Sequence, residues 1–304
     1  MAVVLADCEQ RLKSLPKGKV VTPFSASNQE EKLNVETYPI VKWAGGKRQL
    51  MFELLKNMPK KYTRYFEPFI GGGALFFELS PENAYISDVN EELISLYSVI
   101  KNDVEALIED LSKHKIDKDY FLAIRDVDRQ PKYKRWSDVQ KASRFIYLNR
   151  TCFNGLYRVN SQGQFNVPFG YYKNPRIIDE HNLLNCAKLL ENTEIKHADF
   201  AEILNHVQKG DFVYFDPPYV PLNETSSFTS YTKDGFDIDM QFKLREVCDE
   251  LDARGVKFLL SNSDTQIINE LYANYEIRKV FASRQINANA QGRGKITEVL
   301  VKNY

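Results

Sequence analysis

The chain has 304 residues, 43% of them apolar, and its 41 Lys+Arg balance its 41 Asp+Glu. This is enough for one large domain or two modest ones with a substantial core, and no apolar stretch approaches the length that spans a membrane. The four cysteines, Cys8, Cys152, Cys186 and Cys248, lie far apart without metal-ligand spacing. They read as free thiols of a reducing, cytoplasmic compartment and exclude a cysteine-built metal centre. The start, Met1 to Glu9, has no basic opening and no long apolar run, so no secretion signal is expected.

In chain order, residues 1–34 are polar and aperiodic, with Pro16, Gly18 and Pro23, and read as a flexible extension. An alternation of strand and helix begins at Tyr38. Arg64-Tyr65-Phe66 reads as a strand, Gly72 to Leu79 as a helix, and Ala84 to Ser87 as a second strand ending at Asp88. Helical periodicity then dominates from Glu91 to about Asn149, broken near Pro131. Residues 153–168, with Asn-Gly, Ser-Gln-Gly-Gln and Val-Pro, predict a hairpin. Further on come a helix near 180–191, strands at Glu194–His197 and Phe212–Phe215, and a helix at about 239–253. A strand from Val256 to Leu260 and two late strands near 275–281 and 296–301 complete the pattern.

The predicted fold class is α/β, a mostly parallel, helix-covered sheet with an inserted helical and hairpin segment. The expected division is an extension (1–34), a catalytic body (35–90 and 179–304) and an insertion (91–178). Charge supports the insertion. Residues 113–176 hold 14 Lys/Arg against 5 Asp, which leaves 27 basic against 36 acidic residues elsewhere. A basic middle on an acidic body fits a bound polyanion, although a run such as Lys132-Tyr133-Lys134-Arg135 also suits a solvated helical face.

Three motifs carry chemistry. Asp216-Pro217-Pro218-Tyr219 follows a buried strand, and two prolines end its pairing because neither has an N–H to donate. The turn therefore sits at a strand's carboxyl end, where open α/β sheets bind ligands. Its carboxylate, carbonyls and aromatic face suit a planar base with an exocyclic amine. A plain strand-terminating turn with a capping Asp fits the tetrapeptide equally well. Glu67-Pro68-Phe69-Ile70-Gly71-Gly72-Gly73 lies between a strand and a helix, and the next strand ends in Asp88. Glycines admit a ligand close to the backbone, and such an acid accepts hydrogen bonds from ribose hydroxyls. No basic residue lies in the loop, which favours an adenosine-containing cofactor without a pyrophosphate. Lys42-Trp43-Ala44-Gly45-Gly46-Lys47 lacks full P-loop spacing, and alone it fits a phosphate turn or core packing.

In this order the three motifs resemble the Dam-type family of DNA adenine-N6 methyltransferases (D12 class). The resemblance runs over about 38–304. It includes Leu148-Asn149-Arg150-Thr151-Cys152-Phe153-Asn154-Gly155-Leu156-Tyr157-Arg158, Phe165-Asn166-Val167-Pro168-Phe169-Gly170, Phe228-Thr229-Ser230-Tyr231 and Ser261-Asn262-Ser263-Asp264. It implies a Rossmann-like fold, S-adenosylmethionine as methyl donor and an adenine flipped out of duplex DNA. In that reading Asp216 and the Pro217 carbonyl accept the amine's hydrogens, and Tyr219 stacks on the base. By matched position, Trp43, Lys47, Asp88 and Asp216 are cofactor contacts, with Phe69 and Gly71 as pocket wall and Asp199 at the cofactor's adenine. Lys42 falls where the family meets the first guanine of its site. Phe153 and Asn154 match a tip that enters the stack, and Leu156, Arg158 and Pro168 match base-reading positions. Arg158 also suits guanine by its fork of donors. Arg125 and Arg150 are expected at phosphates. The retained Lys42, Leu156, Arg158 and Pro168 imply GATC as target.

Two positions depart from the family pattern. Phe153 stands in place of a familiar tyrosine, and Tyr171 in place of a basic residue. The implied protein is a monomer that binds double-stranded DNA, with no membrane partner and no metal. Rival readings are methylation of cytosine N4, RNA adenine or protein glutamine, a nicotinamide-dependent oxidoreductase, and a DNA-binding module without catalysis. Asp before Pro-Pro-Tyr and the intact hairpin motif oppose the first group. The glycine spacing opposes the second, and Asp216 together with the glycine turn opposes the third.

Overall fold

The computed structural model describes residues 36–220, 236–283 and 295–304. The expected extension 1–34 and the Phe228–Tyr231 motif lie outside the described residues.

Seven strands form one sheet: β1 (Tyr65–Glu67), β2 (Ala84–Asp88), β3 (Thr193–His197), β4 (Phe212–Phe215), β5 (Lys257–Ser263), β6 (Glu276–Ser283) and β7 (Lys295–Lys302). Their spatial order is β3-β2-β1-β4-β5-β7-β6. The first five run parallel, and β7 enters antiparallel between β5 and β6. Parallel strands are covered on both faces and so read as continuous apolar runs. Phe212-Val213-Tyr214-Phe215 is buried at every position.

Nine α-helices connect or flank the strands. They are α1 (Met51–Asn57), α2 (Ala74–Leu79), α3 (Glu91–Asn102), α4 (Val104–Leu111), α5 (Lys118–Arg125), α6 (Asp138–Thr151), α7 (Glu180–Leu190), α8 (Ile238–Ala253) and α9 (Gln266–Leu271) among the described residues. Polar side chains start several of them. Asn90 accepts the Leu93 amide at the head of α3, and Ser137 and Gln140 close a capping box on α6. One face of the sheet packs Leu93, Leu107, Ile146 and Leu183, from α3, α4, α6 and α7, against Tyr65, Ile86 and Tyr214. The other packs Phe200, Leu244 and Ile268 against Phe66, Val213 and Leu260. Thus α3 and α4, inside the expected insertion, share the core of the sheet. A separate small cluster gathers Phe121, Tyr147, Leu148, Cys152, Phe165 and Val167 under the predicted hairpin.

The strand order reverses at β1, because β2 lies on one side of it and β4 on the other. The register aligns Tyr65 with both Ala84 and Phe212, so the carboxyl ends of β1, β2 and β4 open onto one crevice. That is where an open α/β sheet presents a site. No described helix is long and apolar enough to cross a membrane, and no described cluster of His, Cys, Asp and Glu is built to hold a metal.

Candidate active site and DNA-facing surface

The crevice collects residues from three separated motifs. Lys47, buried after the Gly45-Gly46 turn, directs its ammonium at Asp216 Oδ1 from 2.7 Å. It also donates to the Gly45 carbonyl at 2.8 Å and lies 4.5 Å from the centre of the Tyr219 ring. Ser261 Oγ donates to the same Asp216 Oδ1 at 3.1 Å. Among the described residues both contacts fall on Oδ1, and Oδ2 takes no partner. Burial raises the Asp216 carboxyl above the usual carboxylate range, and Lys47 opposes that rise. Pro217 is buried and Pro218 exposed, so the turn opens outward. Tyr219 is fixed by its hydroxyl, which donates to Glu298 Oε2 at 2.8 Å.

Side chains beyond the tetrapeptide hold the turn. Gln241 of α8 donates to the Pro218 carbonyl at 3.1 Å, and Asn262 donates to Gln241 at 3.2 Å. Ser263 Oγ donates to the Val220 carbonyl at 2.7 Å. The Ser-Asn-Ser run at the end of β5 thus sets the turn's shape, a role that the motif alone did not reveal.

Next to it, the glycine turn meets β2. Asp88 Oδ2 accepts the Gly71 amide and Oδ1 accepts the Asn90 amide, both at 3.0 Å. Burial raises the Asp88 carboxyl, and these amides counter the rise. Gly71 has φ +46°, and a Cβ there would lie 2.8 Å from Trp43 Cδ1, so only glycine lets the indole close over this turn. Phe69 stacks on Phe200 at 5.2 Å and meets Phe236 edge-on at 5.6 Å, which makes an aromatic wall. Asp199, just past β3, caps the following short helix through Ala201 and pairs with Lys243 at 2.8 Å. Trp43, Lys47, Phe69, Gly71, Asp88, Asp199 and Asp216 therefore line the carboxyl edge of one sheet. Glu67, at the end of β1, is buried and accepts a 2.6 Å bond from Tyr65, and burial pushes its carboxyl well up.

The predicted hairpin is an irregular arm. It has two isolated antiparallel bridges, Cys152 to Phe169 and Val159 to Phe165. Asp128, paired with the buried Arg144 at 2.6 Å, accepts the Phe165 amide at 2.9 Å and pins the arm to the helices. Phe153, Asn154, Leu156, Arg158 and Pro168 are all exposed, and Phe153 keeps half of its surface free (52%). Asn154 takes φ +56°, a conformation that asparagine tolerates better than most residues. Arg158 is held by Asn166, with Nε 2.7 Å from its Oδ1. The arm tip is locked to Lys42: Asn149 accepts the Lys42 amide and donates to the Lys42 and Gly155 carbonyls.

The two arginines expected at phosphates are partly committed elsewhere. Arg150 is half-buried and donates to the Ile40 carbonyl, while its Nε has no partner. Arg125 pairs with Asp126 at 2.7 Å. Beside Arg150, a cleft of about 400 Å³ is lined by Lys42, Tyr172, Lys173 and Arg176. The free cysteines among the described residues, Cys152, Cys186 and Cys248, are all buried.

Known proteins resemble this chain over most of its length. The family model for D12 class N6 adenine-specific DNA methyltransferases matches residues 43–286. The type II methyltransferase M1.LlaDCHI of Lactococcus lactis subsp. cremoris is 49% identical over 280 residues, covering 91% of this chain and 98% of that protein. M.MjaIII of Methanocaldococcus jannaschii, also a type II methyltransferase, is 45% identical over 292 residues, or 89% of this chain and all of its own. The DNA adenine methylase of Escherichia coli K12 is 32% identical over 260 residues, covering 86% of this chain and 93% of the other.

Proposed function

The chain belongs to the D12 class of N6 adenine-specific DNA methyltransferases, and from that premise we propose that it methylates adenine N6 at GATC in duplex DNA by base flipping, with S-adenosylmethionine as donor. The observation that carries the reading is the asymmetry of Asp216. Lys47 and Ser261 occupy Oδ1, and among the described residues Oδ2 takes no partner.

The donor set fits such a cofactor. Asp88 retains acceptor capacity for ribose hydroxyls beside the Gly71 amide, Phe69 offers a flat wall for a purine, and Asp199 stands at the adjoining strand end. The Phe69–Gly73 stretch holds no cation for a pyrophosphate. Trp43 and Lys47 close the near side. Bound there, S-adenosylmethionine supplies an electrophilic methyl group.

The protein's own part is to prepare the amine. The N6 lone pair of adenine is delocalised into the ring. Asp216 Oδ2 accepts one amino hydrogen and the Pro217 carbonyl the other, which favours a pyramidal, more nucleophilic nitrogen and stabilises the positive charge that develops on it. Tyr219 stacks on the extruded base, and its tether to Glu298 fixes the ring in advance. Lys47 opposes the rise that burial imposes on the Asp216 carboxyl.

DNA meets the basic insertion 91–178. Phe153 and Asn154 enter the gap left by the base. Lys42, Leu156, Arg158 and Pro168 read base edges, and Arg125 and Arg150 contact phosphate. Support comes from the exposure of the tip residues and from the Asn149 bonds that set Lys42 against Gly155. The test is tritiated methyl transfer from S-adenosylmethionine to plasmids with and without GATC sites. Transfer only to the GATC plasmid, as N6-methyladenine, is expected. Equal labelling of both plasmids, or label on cytosine, would overturn the target.

A further inference from the structure

Tyr157 sits between Leu156 and Arg158, which the arm presents outward, yet its own ring is half-buried. The ring stacks on Trp43 with centroids 5.3 Å apart, and on Phe145 at 5.0 Å. Its hydroxyl donates to Glu92 Oε2 at 2.8 Å, while Tyr133 donates to Glu92 Oε1 at 3.1 Å. Glu92 lies in the first turn of α3, the helix that begins just after Asp88. Trp43 in turn closes over the glycine turn, where a Cβ on Gly71 would come within 2.8 Å of the indole and one on Gly72 within 3.0 Å. One side chain of the recognition arm therefore touches both walls of the cofactor crevice, one through an indole and the other through a carboxylate. Burial keeps the Tyr157 phenol protonated, so it remains a donor to Glu92.

We propose that Tyr157 is a positioning residue that couples the cofactor pocket to the DNA-reading arm. This rests on the reading that residues 153–168 meet DNA. An arm seated on its target holds Tyr157 against Trp43 and Glu92, and so holds the glycine turn and the head of α3 in place. An arm that a wrong sequence leaves unseated gives that support less firmly to both walls. Binding linkage makes the effect reciprocal: a filled pocket tightens the arm by the same factor.

The experiment is calorimetric titration of the full-length protein with S-adenosylhomocysteine, with and without saturating GATC duplex. The quantity of interest is the ratio of the two Kd values. In the unaltered protein the duplex should tighten S-adenosylhomocysteine about fivefold or more, the ordinary lower range of coupling between sites. Tyr157→Leu should bring the ratio close to one. Tyr157→Phe, which keeps the stack and loses the hydroxyl, should give an intermediate value. A merely structural defect would weaken both Kd values together and leave their ratio unchanged. A ratio in Tyr157→Leu equal to that of the unaltered protein overturns the proposal, as does a ratio of one before any substitution. Should Tyr157→Leu fail to fold, Tyr157→Phe decides on the same criterion. Failure of the unaltered protein to bind S-adenosylhomocysteine and duplex at all would instead refute the underlying assignment of function.

Discussion

Replacing Lys47 by methionine isolates one part of the proposed chemistry. Methionine keeps the length and apolar packing of the stem and removes the ammonium that sits 2.7 Å from Asp216 Oδ1. Removing one partner of a buried ion pair costs about 3–5 kcal/mol, because the other charge stays behind without compensation. The Asp216 side chain keeps 20% of its surface exposed, so the lower end, about 3 kcal/mol, applies. That energy emerges in one of two ways: the fold loses stability, or Asp216 takes up a proton. The sign is set by the groups present. Burial already raises the Asp216 carboxyl, and Lys47 is the largest influence holding it down. Without Lys47 the carboxyl rises further, and a protonated Asp216 no longer offers a carboxylate to the amine. The acid limb of kcat/KM for methyl transfer should therefore move to higher pH. On the acid side of the new limb the loss should approach roughly a hundredfold, the equivalent of about 3 kcal/mol. Methyl-transfer kinetics across the pH range at saturating S-adenosylmethionine, with urea unfolding in parallel, measure both channels. An unchanged pH profile together with unchanged stability would refute the assigned role of the pair.

Three further outcomes are expected. Gly155→Ala puts a Cβ 2.3 Å from Lys42 Cδ at φ +64°; left-handed strain of about 1–2 kcal/mol and the displaced lysine should weaken duplex binding without altering S-adenosylhomocysteine affinity, and unchanged binding in a gel-shift titration would count against the Lys42 assignment. Arg158→Ala should relax discrimination at one guanine by about 1–3 kcal/mol, read from methylation kinetics on each single-base variant of GATC; a uniform loss at all positions would make Arg158 a backbone contact. His114 is wedged between Tyr147, Tyr120 and Ser143, and burial lowers its imidazolium from 6.5 to about 4. The unfolded chain therefore takes up a proton that the folded chain refuses, so stability should fall as pH drops from 6.5 towards 4, by at most about 3 kcal/mol, and His114→Gln should flatten that slope in urea titrations.

The centre of the sheet was legible in the sequence because β1, β2, β4 and β5 are buried along nearly their whole length and several are bounded by acids, glycines and prolines. Phe212–Phe215 before Asp216 and Ala84–Ser87 before Asp88 are the clearest cases. Two short helices, Met51–Asn57 and Gln266–Leu271, went unread, since six or seven residues give little periodicity. The arm at 153–168 read as a hairpin from its turn residues, but it has only isolated bridges. Its polar groups find partners in Asp128, Arg129 and Asn149 instead of in a ladder. The motifs gave the residues of the crevice but not their pairings. Lys47 and Asp216 belong to motifs far apart in the chain, and the fold brings them within 2.7 Å. Arg150 illustrates the opposite limit: its place in the family-like Leu148–Arg158 motif suggested phosphate, while the fold turns part of its guanidinium onto the Ile40 carbonyl.

The reversal of strand order also constrains how the enzyme comes into being. Tyr65 must wait for Phe212 before the sheet's central pairing can close, and β5 is completed only by β7, at the very end of the chain. A ribosome that has released the glycine turn, Asp88 and the whole recognition arm has still not delivered Asp216 or the strand that supports it. Such a nascent chain carries the basic segment while lacking the carboxylate proposed to act on the base, and β1 stands with one edge open to wrong partners. Pairings this distant close slowly. In the interval between arm and carboxylate the proposed binding surface therefore precedes the proposed catalytic group, and a chain that ends between the arm and β4 lacks both Asp216 and the central pairing of the sheet.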